Sequence, residues 1–252
     1  SVVYGVLLRS LPFEEPERLV RIFTRTPDGA PFELSPAKFY DWQRDTQSFE
    51  GMAIYPCCGF REFALTGTGT ARTVNVTAVS ADFFDIVRAR PALGRTFRAE
   101  DDTPGGRQVV IVSDGFWKTE LGGDPDVIGR TLRLDDEAYT VIGVMPAGAS
   151  VASWTPMASD VWIPIPLSPE QRAARENHNL DGFARLNRGV TLRQAQSELD
   201  AISAQLAREF PDSDEGWGAM VVSLQEDIVG GSRTMLVMLL GAVGLVLLIA
   251  CA

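Results

Sequence analysis

The sequence predicts an α+β fold in which two strand–helix–strand units flank a β-rich middle. Three observations carry that reading. An amphipathic helix bounded by strands lies near each end, alternating strand pairs fill the centre, and uncharged apolar stretches stand at both termini.

In the first unit, Leu19 to Phe23 is rich in branched and aromatic residues and reads as a strand. Ser35 followed by Pro36 marks a helix start, with Ser as N-cap and Pro at the first helical position. Phe39, Trp42 and Thr46 then fall on one face. Phe49 to Tyr55 reads as the next strand. Phe60 to Thr66 and Arg72 to Val79 read as a hairpin closed by Gly67-Thr68-Gly69-Thr70.

The middle opens with a short helix at Ser80 to Phe84, followed by the loop RARPALGRTF. Val109 to Val112 is an apolar strand, and Ser113 caps a helix carrying Phe116 and Trp117. Arg130 to Leu134 and Ala138 to Val144 alternate around Asp135-Asp136 as a hairpin. A Pro-rich edge, VWIPIPLSPEQ, closes this lobe.

The second unit repeats the plan. Leu180 to Leu186 is a strand, Asn187-Arg188-Gly189 a turn, and a helix runs from Leu192 to about Phe210. Thr191 and Gln194 form a capping box at its start. Leu192, Ala195, Leu199, Ile202, Leu206 and Phe210 recur at spacings of three and four, which predicts one inward face. Pro211 ends the helix, and Trp217 to Leu224 returns as a strand. The expected organisation is therefore 9–79 with 176–228 as one α/β subdomain and 80–175 as an inserted β-rich one.

The termini have another character. Thr234 to Ala252, TMLVMLLGAVGLVLLIACA, holds no charge and no Pro, and is long enough for a bilayer span. A core helix of that length usually keeps a polar face, and this one has none. Ser1 to Leu8 is apolar until Arg9 but covers only about 12 Å as a helix, and it lacks the basic start of a signal peptide. Residues 1–8 and 234–252 are expected to be parts of two transmembrane helices around a loop domain, with the charge pattern leaving the side of the membrane open.

Composition excludes several function classes. A net charge of −10 opposes nucleic-acid binding. His178 is the single histidine, and no GxSxG elbow is present, so a nucleophile–base system has no natural members. Cys57 and Cys58 are adjacent and Cys251 lies in the apolar tail, which makes neither a disulfide framework nor zinc-ligand spacing. The acids at Glu100-Asp101-Asp102, at Asp124 and Asp126, and at Asp212, Asp214 and Glu215 fit no calcium loop and read as solvated loop residues. No GxxxxGK[ST] loop precedes a helix. The sequence thus singles out no catalytic, cofactor-binding or metal-ligating residues; a carboxylate pair for glycoside hydrolysis stays open, with little weight among so many acids, because spacing along the chain does not fix separation in space.

Five stretches in order resemble a known group: SVVYGVLLRSLPF, VSADFFDIVRARPALGRTF, VVIVSDGFWKTELGGDPDVIGRTLRLDDEAYTVIGVMP, RGVTLRQAQSELDAI and LLGAVGLVLLIACA. Together they are similar to the MacB-type periplasmic core domain with its flanking membrane helices, nearest to the duplicated orphan ABC permeases. The resemblance implies a porter-like α/β subdomain, an inserted β-rich subdomain and a place outside the inner membrane. It implies no enzymatic activity and no cofactor. Its implied partners are a separate cytoplasmic ATP-binding subunit, membrane lipid around the terminal helices, and a paired permease half or dimer. Mechanotransmission, in which ATP-driven helix movement does efflux or extrusion work outside the membrane, is the implied mechanism. An adaptor partnership is not carried over, because the sequence shows no ATPase domain of its own. A membrane-tethered periplasmic sensor or ligand-binding domain is the alternative, and a membrane-anchored hydrolase is disfavoured by the lone histidine.

Overall fold

In the computed structural model, residues 11, 13–57, 60–67, 71–149 and 155–228 are described. Both terminal apolar stretches, 1–8 and 234–252, lie outside those residues. Among the described residues no helix is long and apolar enough to cross a membrane.

The two strand–helix–strand units do not sit side by side; they interleave. The first consists of β1 (Leu19–Arg25), the short β2 (Pro31–Phe32), α1 (Pro36–Asp45) and β3 (Phe49–Pro56). The second consists of β11 (Leu180–Leu186), α5 (Leu192–Glu209) and β12 (Gly218–Ser223). Their strands pair in the order β12-β1-β11-β3, all antiparallel, with β2 added to β1. Each unit is thus a crossover whose two parallel strands are separated by one strand of the other unit, a split βαβ arrangement.

Local chemistry explains the helices. The Ser35 hydroxyl accepts from Lys38 N–H and Pro36 occupies the first turn. Thr191 and Gln194 close the expected capping box on α5. One sheet face buries Val20, Ile22, Met52, Ile54 and Ala184 against Phe39 and Trp42 of α1 and Ala195, Leu199 and Leu206 of α5. Leu192 departs from the expected inward face and is 37% exposed. It begins the first helical turn, before the helix lies on the sheet. Thr46 is the C-cap of α1 rather than a packing residue, and its hydroxyl donates to Glu198 at 2.7 Å.

The other sheet contains β4 (Arg61–Thr66), β5 (Arg72–Val79), β6 (Leu93–Gly94), β7 (Val109–Val112), β8 (Thr131–Leu134), β9 (Glu137–Val144) and β10 (Val161–Pro164). They run in the order β6-β9-β7-β10-β5-β4-β8, and an additional β8–β9 pairing closes the sheet on itself. Closure leaves the two-residue β6 as an edge and encloses Leu65, Val74, Val76, Val110, Val112, Leu132 and Val141. The short helices α2 (Phe83–Val87), α3 (Asp114–Glu120), α4 (Pro169–Arg172) and α6 (Pro211–Asp214) connect the strands, together with 3-10 turns at Pro16–Arg18, Ala99–Asp102, Pro125–Val127 and Thr155–Met157 and a helical turn over 224–228.

Several strand expectations are corrected here. The β4–β5 hairpin joins the closed sheet rather than the first unit, because β5 pairs with β10 and β4 with β8. VWIP is not an edge strand: β10 lies between β5 and β7. Its pairing with β7 stops at Trp162, so Pro164 has a strand neighbour on one side only and its missing N–H is tolerated. Ser80 does not open α2; its Oγ accepts from Ile54 N–H at 3.1 Å and ties the chain to β3. Asp135 and Asp136 do turn the β8–β9 hairpin, both with positive φ, as a two-residue turn between twisted strands requires.

The second face of the split sheet meets the closed sheet. Leu19, Ala53, Tyr55 and Phe183 share one cluster with Val79, Phe83, Phe84, Val109, Ile111 and Trp162. The two sheets therefore have a common core as well as their own.

Candidate functional site

The chain enters the split sheet through residues 13–18 and leaves it through 224–228. Because β1 and β12 are antiparallel neighbours, with Val20 opposite Ser223, entry and exit lie at the same end of the sheet. Leu11 and Leu224 are buried in one apolar cluster, with Phe13 and Ile228 packed against it.

Charged groups tie both segments down. On the exit side, Arg21 of β1 reaches Asp181 of β11 at 2.8 Å and Asp227 at 3.2 Å. Its guanidinium lies 4.8 Å from the Phe23 ring centroid and 5.6 Å from that of Tyr55. Burial raises the Asp181 carboxyl above its ordinary value, and Arg21 opposes that rise.

On the entry side, Arg18 pairs with Glu15 at 2.6 Å and with Glu50, and its Nε donates to the Leu186 carbonyl at 2.8 Å. Arg88, at the end of α2, pairs with Glu14, with Glu15 at 2.6 Å and with Glu50 at 3.2 Å. Burial alone would raise the Glu15 carboxyl, but Arg18, Arg188 and Arg88 together hold it below its ordinary range. Glu15 and Arg88 both carry left-handed backbones, with φ of 47° and 56°. Non-glycine residues rarely adopt that conformation and hold it only where surrounding contacts impose it. Arg185 of β11 lies beneath this cluster, fully buried, with Nε donating to Ile86 O at 2.6 Å and Nη1 to Glu15 O at 3.2 Å.

A second polar cluster fastens α1 to the turn before β12. Lys38 Nζ lies 2.8 Å from Asp214 Oδ1. Arg175 bridges Asp214 at 3.0 Å and Asp41 at 2.6 Å. His178 stacks on Trp217 at 4.9 Å between centroids, and burial together with Lys38 lowers its pKa. Among the described residues its neighbours are the Trp217 and Phe32 rings and the Glu176 carbonyl.

The acidic clusters need correction. Asp214 is buried in the ion network just described, not solvated. Asp101 is also buried, pairing with Arg95 at 2.6 Å and accepting from Arg98 N–H at 2.9 Å. Asp102 is half-buried and its carboxyl is pushed up to about 6 by burial. Among the described residues no group of three or more His, Cys, Asp or Glu side chains is arranged to hold a metal. Sequence reasoning does not single out the arginines that hold the entering and leaving segments. Arg18 and Arg21 are three positions apart, but Arg88 and Arg185 are remote from them in the chain, so no local pattern groups the four.

The family described as MacB-like periplasmic core domain matches residues 1–202. Three solved structures share the fold. A domain assigned to a permease protein of Porphyromonas gingivalis has a TM-score of 0.63 at 17% identity, covering 84% of this chain and 93% of that one. The periplasmic region of MacB from Actinobacillus actinomycetemcomitans scores 0.61 at 13% identity, covering 91% and 98%. The extracellular domain of the noncanonic ABC-type transporter YknZ from Gram-positive bacteria scores 0.54 at 12% identity, covering 80% and 99%. No curated protein matches the chain.

Proposed function

Since this chain belongs to the family of MacB-like periplasmic core domains, we propose that it is the non-enzymatic extracytoplasmic part of an ABC permease in the inner membrane. A separate cytoplasmic subunit hydrolyses ATP, and the domain carries the resulting helix movement outward to drive efflux or extrusion. A paired permease half or a second copy completes the assembly. The split sheet with α1 and α5 is the porter-like subdomain, and the closed sheet, including β4–β5, is the inserted one.

The observation that supports this reading is the shared anchorage of entry and exit. Leu11 and Leu224 lie in one cluster, while Arg21 joins β1 to Asp227. A domain that passes on movement needs its connecting segments fixed to a rigid body, because a loose joint would absorb the displacement.

The test is a flexible Gly-Ser insertion after Gly230 in the full permease, reconstituted with its ATPase. Both domains should remain folded while export per ATP falls towards zero. Arg21→Gln should produce a weaker form of the same uncoupling. Undiminished export in the insertion variant would reject the mechanism.

A further inference from the structure

A strap of residues 165–174 leads from β10 of the closed sheet back towards β11 of the split sheet. Ile165 is buried in the split-sheet core and Leu167 packs against it. Further along, the Arg172 guanidinium lies over the Tyr40 ring of α1, 4.8 Å from its centroid, and Nε donates to the Leu167 carbonyl at 3.1 Å. The Ala174 carbonyl accepts from Ala37 N–H at 3.2 Å, so the strap also holds the first turn of α1.

Asp102 lies where this strap meets the inserted subdomain. It ends the 3-10 turn Ala99–Asp102, and its backbone carbonyl accepts from Arg172 Nη2 at 3.5 Å. Its side chain has one satisfied oxygen: Oδ2 accepts from Ala81 N–H at 3.2 Å, while Oδ1 is buried with no hydrogen-bond partner. A neutral carboxyl tolerates a bare oxygen far better than a carboxylate does. Burial is accordingly the largest influence on this group and favours its neutral form, and Asp82 adds to it. The Ala81 N–H, Arg172 and the Ile165 N–H favour the charged form. Tyr40 faces the same place from α1, and burial raises its phenol above the ordinary value. Within the turn itself, Asp101 is held by Arg95 at 2.6 Å and Glu100 by Arg98 at 3.6 Å.

A charged Asp102 recovers hydration only if a segment beside it moves. Ala81 is followed by Phe83 and Phe84, which are buried in the core common to both sheets. The α4 turn of the strap buries none of its residues and has less to lose by lifting.

We propose that Asp102 is a proton-operated latch, whose neutral form holds the strap against α1 and whose charged form releases it. Release unstacks Arg172 from Tyr40 and frees the Ala37 N–H, so acid tightens this joint between the subdomains and alkali loosens it. The latch depends on neither an ATPase nor an exported substrate.

The test is hydrogen–deuterium exchange, read by mass spectrometry on the full-length membrane protein in lipid nanodiscs. The hydrogen-bonded amides of Leu167, Arg172, Ala173 and Ala174 report on the strap. Wild type and Asp102→Asn are compared at the same pH, which cancels the intrinsic chemistry of exchange. With the carboxyl at 3.8 when the strap is lifted and about 6 when it is down, the ratio of wild-type to variant rates should rise about tenfold from pH 5 to pH 7.5. In both proteins the strap amides should exchange faster than the slowest amides of α5, which marks opening short of global unfolding. A ratio that stays constant would overturn the latch, and so would strap amides no faster than the slowest of α5. If Asp102→Asn does not fold, the same rise is sought in wild type alone after correction for intrinsic rates, and its absence rejects the proposal.

Discussion

Lys38 and Asp214 face each other at 2.8 Å with side chains 3% and 2% exposed. Their environments beyond that contact differ. Asp214 has a second cation in Arg175, whereas Asp214 is the only carboxylate within ion-pair range of Lys38 among the described residues.

Removing either partner should therefore have unequal effects. Asp214→Asn strands a buried ammonium and should destabilise the domain by about 3–5 kcal/mol. Lys38→Met leaves Asp214 paired and should be milder. Burial already lowers the Lys38 pKa. The unfolded chain thus binds the lysine proton more tightly than the folded one, and this term favours folding as pH rises. The Asp214→Asn deficit should shrink between neutral pH and pH about 10. Urea denaturation across that range checks both the order and the trend.

Asp102 gives the opposite dependence. Its carboxyl accepts from Ala81 N–H at 3.2 Å, its other oxygen is buried without a partner, and burial moves its pKa from 3.8 to about 6. Arg172 lowers that value and Asp82 raises it. The folded state binds the proton more tightly, so this group's stabilising contribution is complete below pH 3.8 and is lost as pH rises through about 6. Between those limits the wild type should lose about 2 kcal/mol relative to Asp102→Asn. Parallel denaturant curves for the two proteins at pH 4 and 7 measure the difference directly. A constant gap would remove Asp102 as the titrating group.

Gly143 occupies a place where backbone approaches backbone. The β7–β9 register skips a residue between Val110 and Ile111, bringing Ile111 opposite Gly143. A Cβ there would lie 2.4 Å from the Arg95 carbonyl oxygen. Gly143→Ala should destabilise the closed sheet by about 1–3 kcal/mol, read as a lower urea midpoint with an unchanged slope. Gly122→Ala provides a comparison: its Cβ would meet nothing within 4 Å, though its φ of 70° confers its own conformational strain.

What could be read from the sequence was what neighbouring residues decide. Ser35-Pro36, the Thr191–Gln194 box and the Asp135-Asp136 turn act within four positions, and each appears as expected. What could not be read depends on distant partners. Alternation in Arg61–Thr66 marks a strand but does not say which sheet receives it, and Val161–Pro164 shows no sign of being interior until its two neighbours are known. Acids mislead for the same reason: Asp214 reads as a loop residue because Lys38 and Arg175 are remote in sequence. Around the entering segment, Glu15 is held by Arg18, Arg88 and Arg188, a set that folding alone assembles.

The pairing of β1 with β12 also determines how the domain withstands load. Six residue pairs, from Val20–Ser223 to Arg25–Gly218, join the strands nearest entry and exit. Antiparallel ladder bonds run perpendicular to the strands. If one connection slides lengthwise past the other, all the bonds of that ladder are sheared together and must fail together. If the connections are instead prised apart sideways, the ladder opens one bond at a time from the Val20 end. The domain is therefore stiff to piston-like displacement and weak to peeling, and the Arg21–Asp227 contact guards the end from which peeling would begin.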